Sequence, residues 1–191
     1  MKKRTAFIGA ILSLIPLGHP LLIKTGMVLS SSAVMLSLPE KVNAESADFY
    51  FDRAYEKAEK GDHYGAISDY TKAIELDPKY ADAYYNRGYS KDELKDYYGA
   101  ISDYTKAIEI NPNYVKAYVN RGISKRKLKD YYGAVSDYTK AIEINPSYAL
   151  GFSNRGSSKE LIGDMQGACS DWRKASSFGD ESAAKWVKNQ C

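Results

Sequence analysis

Residues 81–114, ADAYYNRGYSKDELKDYYGAISDYTKAIEINPNY, are followed by a near copy of themselves. Residues 115–148 read VKAYVNRGISKRKLKDYYGAVSDYTKAIEINPSY and are identical at 26 of the 34 positions. A chain that repeats at this period builds one small unit several times. No single unit can bury its own apolar face, so the copies must stack into a continuous core. The register runs on in both directions. Pro78, Pro112 and Pro146 share the interval, as do Arg53, Arg87, Arg121 and Arg155, then Asp69, Asp103 and Asp137, and Tyr70, Tyr104 and Tyr138. Four units follow, 47–80, 81–114, 115–148 and a degenerate 149–182.

Each unit shows helical periodicity twice. Counting from the first residue of a unit, positions 1, 4, 8 and 11 share one face of a leading helix, and in the second unit these are Ala81, Tyr84, Gly88 and Lys91. Positions 20, 24, 27 and 28 share a face of a trailing helix: Ala100, Tyr104, Ala107 and Ile108. Glycine inside a helix costs about 1 kcal/mol relative to alanine. Its return as Gly122 and Gly156 therefore predicts that two helices approach closely there. Asp96 and Asp130 stand where the trailing helices begin and can cap them. Asn111-Pro112 ends a trailing helix, because the residue before proline avoids helical angles. In the last unit Phe152 and Trp172 replace tyrosines, and Gly179-Asp180 stands where the proline was. Glu181 to Gln190 then reads as one more amphipathic helix, with Ala184, Trp186 and Val187 facing the fourth unit. It supplies the solvated cap that stacked arrays need, over 183–191.

The aromatic, small residue, alanine, aromatic and proline of each unit, Tyr84, Gly88, Ala100, Tyr104 and Pro112 in the second, resemble the pattern of the tetratricopeptide repeat (TPR) family. The match spans 47–182. The resemblance implies an all-α fold, a right-handed α-solenoid of four helical hairpins with the C-terminal capping helix, here preceded by an N-terminal signal or anchor segment. Two departures recur. Where the family favours leucine at position 7, this chain has Arg; where it favours an aromatic at position 11, this chain has Lys57, Lys91, Lys125 and Lys159. Position 7 and the aspartate at position 23 lie at the edges of the two core stripes. Arg87 with Asp103 and Arg121 with Asp137 can therefore pair, within a hairpin or across to the next, and set repeat register; the alternative is two solvated rows. Lys at position 11 is expected to lay its stem along the core edge and hold its head in water.

The formal charge of +3 misleads. Residues 1–44 hold Lys2, Lys3, Arg4, Lys24 and Lys41 against Glu40, so the remainder carries 22 basic and 23 acidic residues. A near-neutral array offers no electrostatic footing for nucleic acid. The basic head, the apolar stretch Thr5 to Ile23 broken by Pro16 and Pro20, a second apolar run from Met27 to Leu38, and small residues at Val42-Asn43-Ala44 have the layout of a long signal peptide. An uncleaved anchor is the alternative. Either places the repeats in an extracytoplasmic compartment, periplasm or lumen, with membrane contact only through 1–44. The repeat style resembles that of proteins common in phototrophic and other envelope-rich bacteria, which with the leader implies a bacterial, exported member of the family.

Little in the chain suggests catalysis. Cys169 and Cys191 flank the turn at Gly179, ten residues before it and twelve after, so an antiparallel hairpin brings them together. A disulfide, two free thiols and a redox-active pair are the alternatives, in that order. Histidine is confined to His19 in the leader and His63, which reads as a loop-packing substitute for Tyr97 and Tyr131. No histidine-rich metal site can be built, no glycine-rich phosphate loop is present, and Ser102-Asp103 recurs in register as scaffold. No cofactor or metal and no enzymatic activity are expected.

The second and third units differ at positions 1, 2, 5, 9, 12, 13, 21 and 33, and five of these form one stripe on the leading helix. In proteins this chain resembles, that stripe lines a concave groove and touches ligand. The groove would comprise Phe51, Tyr55, Tyr85, Tyr89, Asp92 and Glu93, then Lys116, Ile123, Arg126 and Lys127, with Asn86, Asn120 and Asn154 beside it. It is acidic and aromatic over the first two units and basic and aliphatic at the third. That pattern points to a peptide or helix of a partner protein, its basic part over units one and two and its acidic part over unit three. The family's chaperone-binding clamp uses Lys and Asn on this stripe; Tyr55 and Tyr89 occupy its main position here, which disfavours a chaperone adaptor. The leading reading is an interaction scaffold, serving in assembly of an envelope or membrane complex. The alternatives are a membrane-tethered array that associates with itself and, last, a thiol oxidoreductase.

Overall fold

The structure is a computed structural model, and it describes residues 46–191. The leader read at 1–44 lies outside the described residues. Within them the chain is all-helical: α1 (Ala47–Glu59), α2 (His63–Leu76), α3 (Ala81–Glu93), α4 (Tyr97–Ile110), α5 (Val115–Lys127), α6 (Tyr131–Ile144), α7 (Ala149–Leu161), α8 (Met165–Ser177) and α9 (Glu181–Gln190). Helices pair as hairpins α1–α2, α3–α4, α5–α6 and α7–α8, each hairpin packs on the next, and α9 packs on α8. Successive leading helices α1, α3, α5 and α7 also touch, and successive trailing helices make no comparable contact. The stack is an α-solenoid that bends toward its leading helices. No helix among the described residues is long and apolar enough to cross a membrane.

Local chemistry sets the boundaries. Asp62, Asp96, Asp130 and Asp164 each cap a trailing helix, with a carboxylate oxygen accepting from the N–H of the glycine three residues on at 2.9–3.0 Å. Asn111 and Asn145 leave the helix in extended geometry before their prolines. A Cβ on Gly88 would lie 2.9 Å from the Tyr104 ring and 3.3 Å from the Ala100 carbonyl, which accounts for the recurring glycine. The turn between helices needs a positive φ, supplied by Gly61 and Gly163 in the outer hairpins and adopted by Lys95 and Lys129 in the inner two.

Burial is broader than the four-position stripe predicts. Ala83 and Ala117 at position 3, and Ser90, Ser124 and Ser158 at position 10, are fully buried, while Ala81 and Lys91 are half-buried. A leading helix is gripped on two sides, by its own hairpin partner and by a neighbouring hairpin, so a single stripe underestimates its covered arc. In the cap, Ala183 is buried and Ala184 is exposed, which corrects the sequence reading. The helical spacing that seats Trp186 and Val187 on the fourth hairpin selects residue 183, and Trp186 packs on Trp172 at 5.5 Å between ring centroids. Cys169 of α8 and Cys191 stand with Cα atoms 5.7 Å apart. His63 opens helix α2 and does not sit in a loop.

The Arg–Asp pairs close within each hairpin. Arg87 grips Asp103 with two hydrogen bonds, Nε to Oδ2 at 2.9 Å and Nη2 to Oδ1 at 2.7 Å, and the other three repeats reproduce the fork. The lysine at position 11 does not hold its head in water. Lys57, Lys91, Lys125 and Lys159 place Nζ 2.7–2.9 Å from the same carboxylates, because a buried aspartate flanked by helices offers that head a stronger partner than solvent. The remaining Arg nitrogen reaches back one hairpin: Arg87, Arg121 and Arg155 donate to Thr71, Thr105 and Thr139 at 3.0–3.2 Å.

The Arg53 guanidinium, bonded to Asp69, holds that carboxyl down at about 2 from an ordinary 3.8 against the opposing effect of burial, with Lys57 assisting. A carboxyl with a depressed folded-state pKa stabilises the fold above its unfolded pKa, and the contribution is lost as pH falls through the folded value. Between about pH 5 and pH 2 the unfolding free energy of the parent protein should fall by about 2 kcal/mol more than that of Asp69→Asn, measured by denaturant titration at each pH.

Candidate functional site

The leading helices bring the variable stripe to one face. Over the first two hairpins it forms a cavity of about 510 Å³ lined by Tyr55, Ala58, Glu59, Gly61, His63, Tyr70, Tyr85, Asn86, Tyr89, Glu93 and Lys116. A smaller one of about 250 Å³ lies between the second and third hairpins, lined by Asp92, Glu93, Lys95, Tyr97, Ile123 and Lys127. Tyr55 and Tyr89 are the exposed aromatics of the face, at 50% and 44%.

Several residues assigned to the groove also hold the repeats together. Phe51 stacks on Tyr80 at 4.9 Å and leans on Tyr70, so it braces the wall. Tyr85 does the same with Tyr114 and Tyr104. Its hydroxyl reaches the cavity and accepts from Asn120 Nδ2 at 3.0 Å. Asn86 donates to the Asp82 carbonyl of its own helix. Asn154 Nδ2 is buried without a partner among the described residues. Asp92 accepts from the Ser124 hydroxyl of the next hairpin at 2.9 Å and from Tyr104 at 3.4 Å. Ile123 packs against the third hairpin's core. Arg126 is half-buried, its Nε covered and without a hydrogen-bond partner among the described residues. Glu93, Lys116 and Lys127 are exposed, and Lys116 reaches into the cavity of the first two hairpins. The surface is therefore less cleanly divided than the sequence suggests. Its acidic and aromatic part includes one lysine, and its basic part at the third hairpin retains Lys127.

The charge distribution leaves its mark on the tyrosines. Burial first, then the neighbouring Glu93 and Glu59 carboxylates, push the Tyr89 hydroxyl above its usual range. Burial also raises Asp92, against the opposing hydrogen bonds from Ser124 and Tyr104. The first cavity is thus ringed by carboxylates and phenols. Among the described residues no cluster of His, Cys, Asp or Glu has the arrangement of a metal site.

Sequence reasoning put Ala58 on the stripe but did not place Tyr70 and His63 in the wall of that cavity. The available signal was position 12, where Ala58 stands in register with Asp92, Arg126 and Glu160. A side chain missing from a row of charged ones marks a place where the array opens.

Residues 81–114 and 115–148 each match the family profile described as tetratricopeptide repeat, and residues 54–91 match one described as TPR repeat. No curated protein sequence matches the chain significantly. Among solved structures, a crystal structure of MamA superposes with a TM-score of 0.70 at 24% identity, over 75% of this chain and 84% of that one. MamA 41-end from Desulfovibrio magneticus RS-1 does so at 0.67 and 18%, over 71% and 76%. The first TPR of Spaghetti (RPAP3) bound to HSP90 peptide SRMEEVD gives 0.61 at 25%, over 64% of this chain and 97% of that one. The MamA likenesses speak to fold alone. Residues 54–148 are therefore tetratricopeptide repeats, set in an all-helical TPR solenoid.

Proposed function

We propose that this solenoid is a non-enzymatic scaffold that holds a peptide or helix of a partner protein along its leading-helix face. As a TPR array the protein is an interaction module; the position and chemistry of its ligand are our reading. One observation carries it. Two repeats identical at 26 of 34 positions differ mainly on this stripe, and there Tyr55 and Tyr89 stand exposed beside a cavity of about 510 Å³. Exposed aromatic anchors with charged surroundings are what a protein-binding surface requires. A related fold carries a bound peptide, which supports the same use. The ligand's basic part lies over the first two hairpins, and an acidic part reaches toward Lys127. A crosslinking pull-down compares the parent protein with a Tyr55→Ala, Tyr89→Ala, Lys127→Glu bait. A partner held by the first and lost by the second is the expected outcome. Identical capture by both baits would remove function from this face.

The setting we propose is extracytoplasmic, in assembly of an envelope or membrane complex, with residues 1–44 as signal peptide or anchor. In that setting Cys169 and Cys191, 5.7 Å apart between Cα atoms, form a disulfide, since disulfides persist in oxidising compartments. The protein isolated from its compartment should show no free thiol by thiol titration. Cys191→Ser should lower the unfolding free energy by about 3 kcal/mol, as expected for a loop of this size.

A self-associating array is the second reading, and one observation favours it. Tyr64, Tyr98 and Tyr132 recur in register at the starts of the trailing helices, with exposures of 77%, 76% and 75%. Light scattering on the partner-free protein separates the two, since only this reading gives stable oligomers.

A further inference from the structure

Every junction between hairpins contains the same niche, and the residue at position 12 differs each time. The niche lies among position 12 of a leading helix, the tyrosine hydroxyl at position 24 and the serine at position 10 of the next hairpin. Between the second and third hairpins Asp92 occupies it, accepting from Ser124 at 2.9 Å and Tyr104 at 3.4 Å. Between the third and fourth, position 12 is Arg126, whose charge acts on the Tyr138 hydroxyl against the effect of burial, while Tyr138 Oη and Ser158 Oγ have no hydrogen-bond partner among the described residues. Between the first and second, position 12 is Ala58, and nothing on that side chain can reach the hydroxyls. Tyr70 and Ser90 are both 0% exposed. Tyr70 Oη, Ser90 Oγ and His63 Nδ1 are buried without a hydrogen-bond partner among the described residues. The cavity of about 510 Å³ opens directly onto Ala58, Tyr70 and His63.

Two hydroxyls serve a carboxylate as donors, as Asp92 shows, and can equally serve a guanidinium as acceptors. The mouth decides between them. Glu59 and Glu93 line it, and both lie close enough to Tyr89 to raise its hydroxyl's pKa; Lys116 opposes them from an exposed position. An anion would be repelled by two carboxylates. A cation is attracted, and the Tyr55 and Tyr89 rings at the same mouth favour a planar one.

We propose that the niche beside Ala58 takes an arginine side chain supplied by the bound partner, in the place that Asp92 fills from within the chain one repeat on. The guanidinium would donate to Tyr70 Oη and Ser90 Oγ, with Glu59 and Glu93 balancing its charge. This rests on the reading of the leading-helix face as the ligand groove and names the residue that anchors the ligand there.

The test titrates the full chain with N-acetyl-arginine amide, followed by NMR on the His63, Tyr70 and Ser90 resonances. N-acetyl-citrulline amide, a neutral isostere, and N-acetyl-glutamate amide are the comparison probes. The arginine probe should shift all three residues and bind at least about tenfold more tightly than citrulline, the difference a charge-assisted contact supplies. Ala58→Arg, which fills the niche from within, should abolish those shifts. Glu59→Gln with Glu93→Gln, both exposed and remote from the core, should weaken the arginine probe about fivefold or more and leave citrulline unchanged. That pair decides the matter if Ala58→Arg does not fold. Equal binding of arginine and citrulline, preference for glutamate, or insensitivity to the Glu59 and Glu93 substitutions would each overturn the proposal. The pull-down is independent of this outcome. A partner lost with Tyr55 and Tyr89 but no arginine binding would leave the groove standing and remove the niche. Arginine binding with no groove-dependent partner would do the reverse.

Discussion

A carboxylate buried between two helices needs compensating charge, and the whole array is arranged around supplying it. The aspartate at position 23 is almost wholly covered in all four hairpins. It receives a two-pronged arginine and a lysine from the leading helix of its own hairpin. The two recurrent departures from the family's pattern, Arg at position 7 and Lys at position 11, are thus one adaptation. The arginine does a second job. In the second, third and fourth hairpins its Nη1 reaches the threonine of the preceding hairpin, whose hydroxyl is itself tied to a carbonyl one turn back. Its guanidinium also lies 5.5 Å from the aromatic at position 4 in the second, third and fourth hairpins. Sliding one helix by a residue would break fork, ammonium contact and threonine link together. The cluster therefore penalises wrong registers more heavily than its net stabilisation suggests.

What the sequence made legible follows from what repetition can encode. Period, hairpin limits, caps and close-approach glycines recur at fixed offsets, and each has a local physical cause that one copy already shows. The Arg–Asp pair was also visible, because opposite charges at the edges of two facing stripes have few other uses. The destination of the lysine was not: solvent and a buried carboxylate are both within reach of a four-carbon stem, and only the packed geometry selects between them. Ser90, Ser124 and Ser158 were hidden because a small polar residue beside a stripe looks like surface until the next hairpin covers it. Ala184 and Ala183 are neighbours of identical chemistry, separated only by the phase of α9.

The groove was harder to read for a related reason. The stripe that varies between repeats is also the mortar between them. Phe51 and Tyr85 are spent on Tyr80 and Tyr114, and Asp92 on Ser124. Variation at position 12 therefore changes how a junction is closed as well as what a ligand meets. Stability in such arrays is close to a nearest-neighbour sum, and within the described solenoid the first hairpin has a hairpin neighbour on one side. Its junction is also the one whose niche the chain leaves to Ala58. A ligand group bound there would take the place that Asp92 fills at the next junction. Recognition and closure of the array would then draw on the same contacts, and since a ligand that binds only the folded state stabilises it by mass action, occupancy would fall mainly to the benefit of the first hairpin's docking on the second.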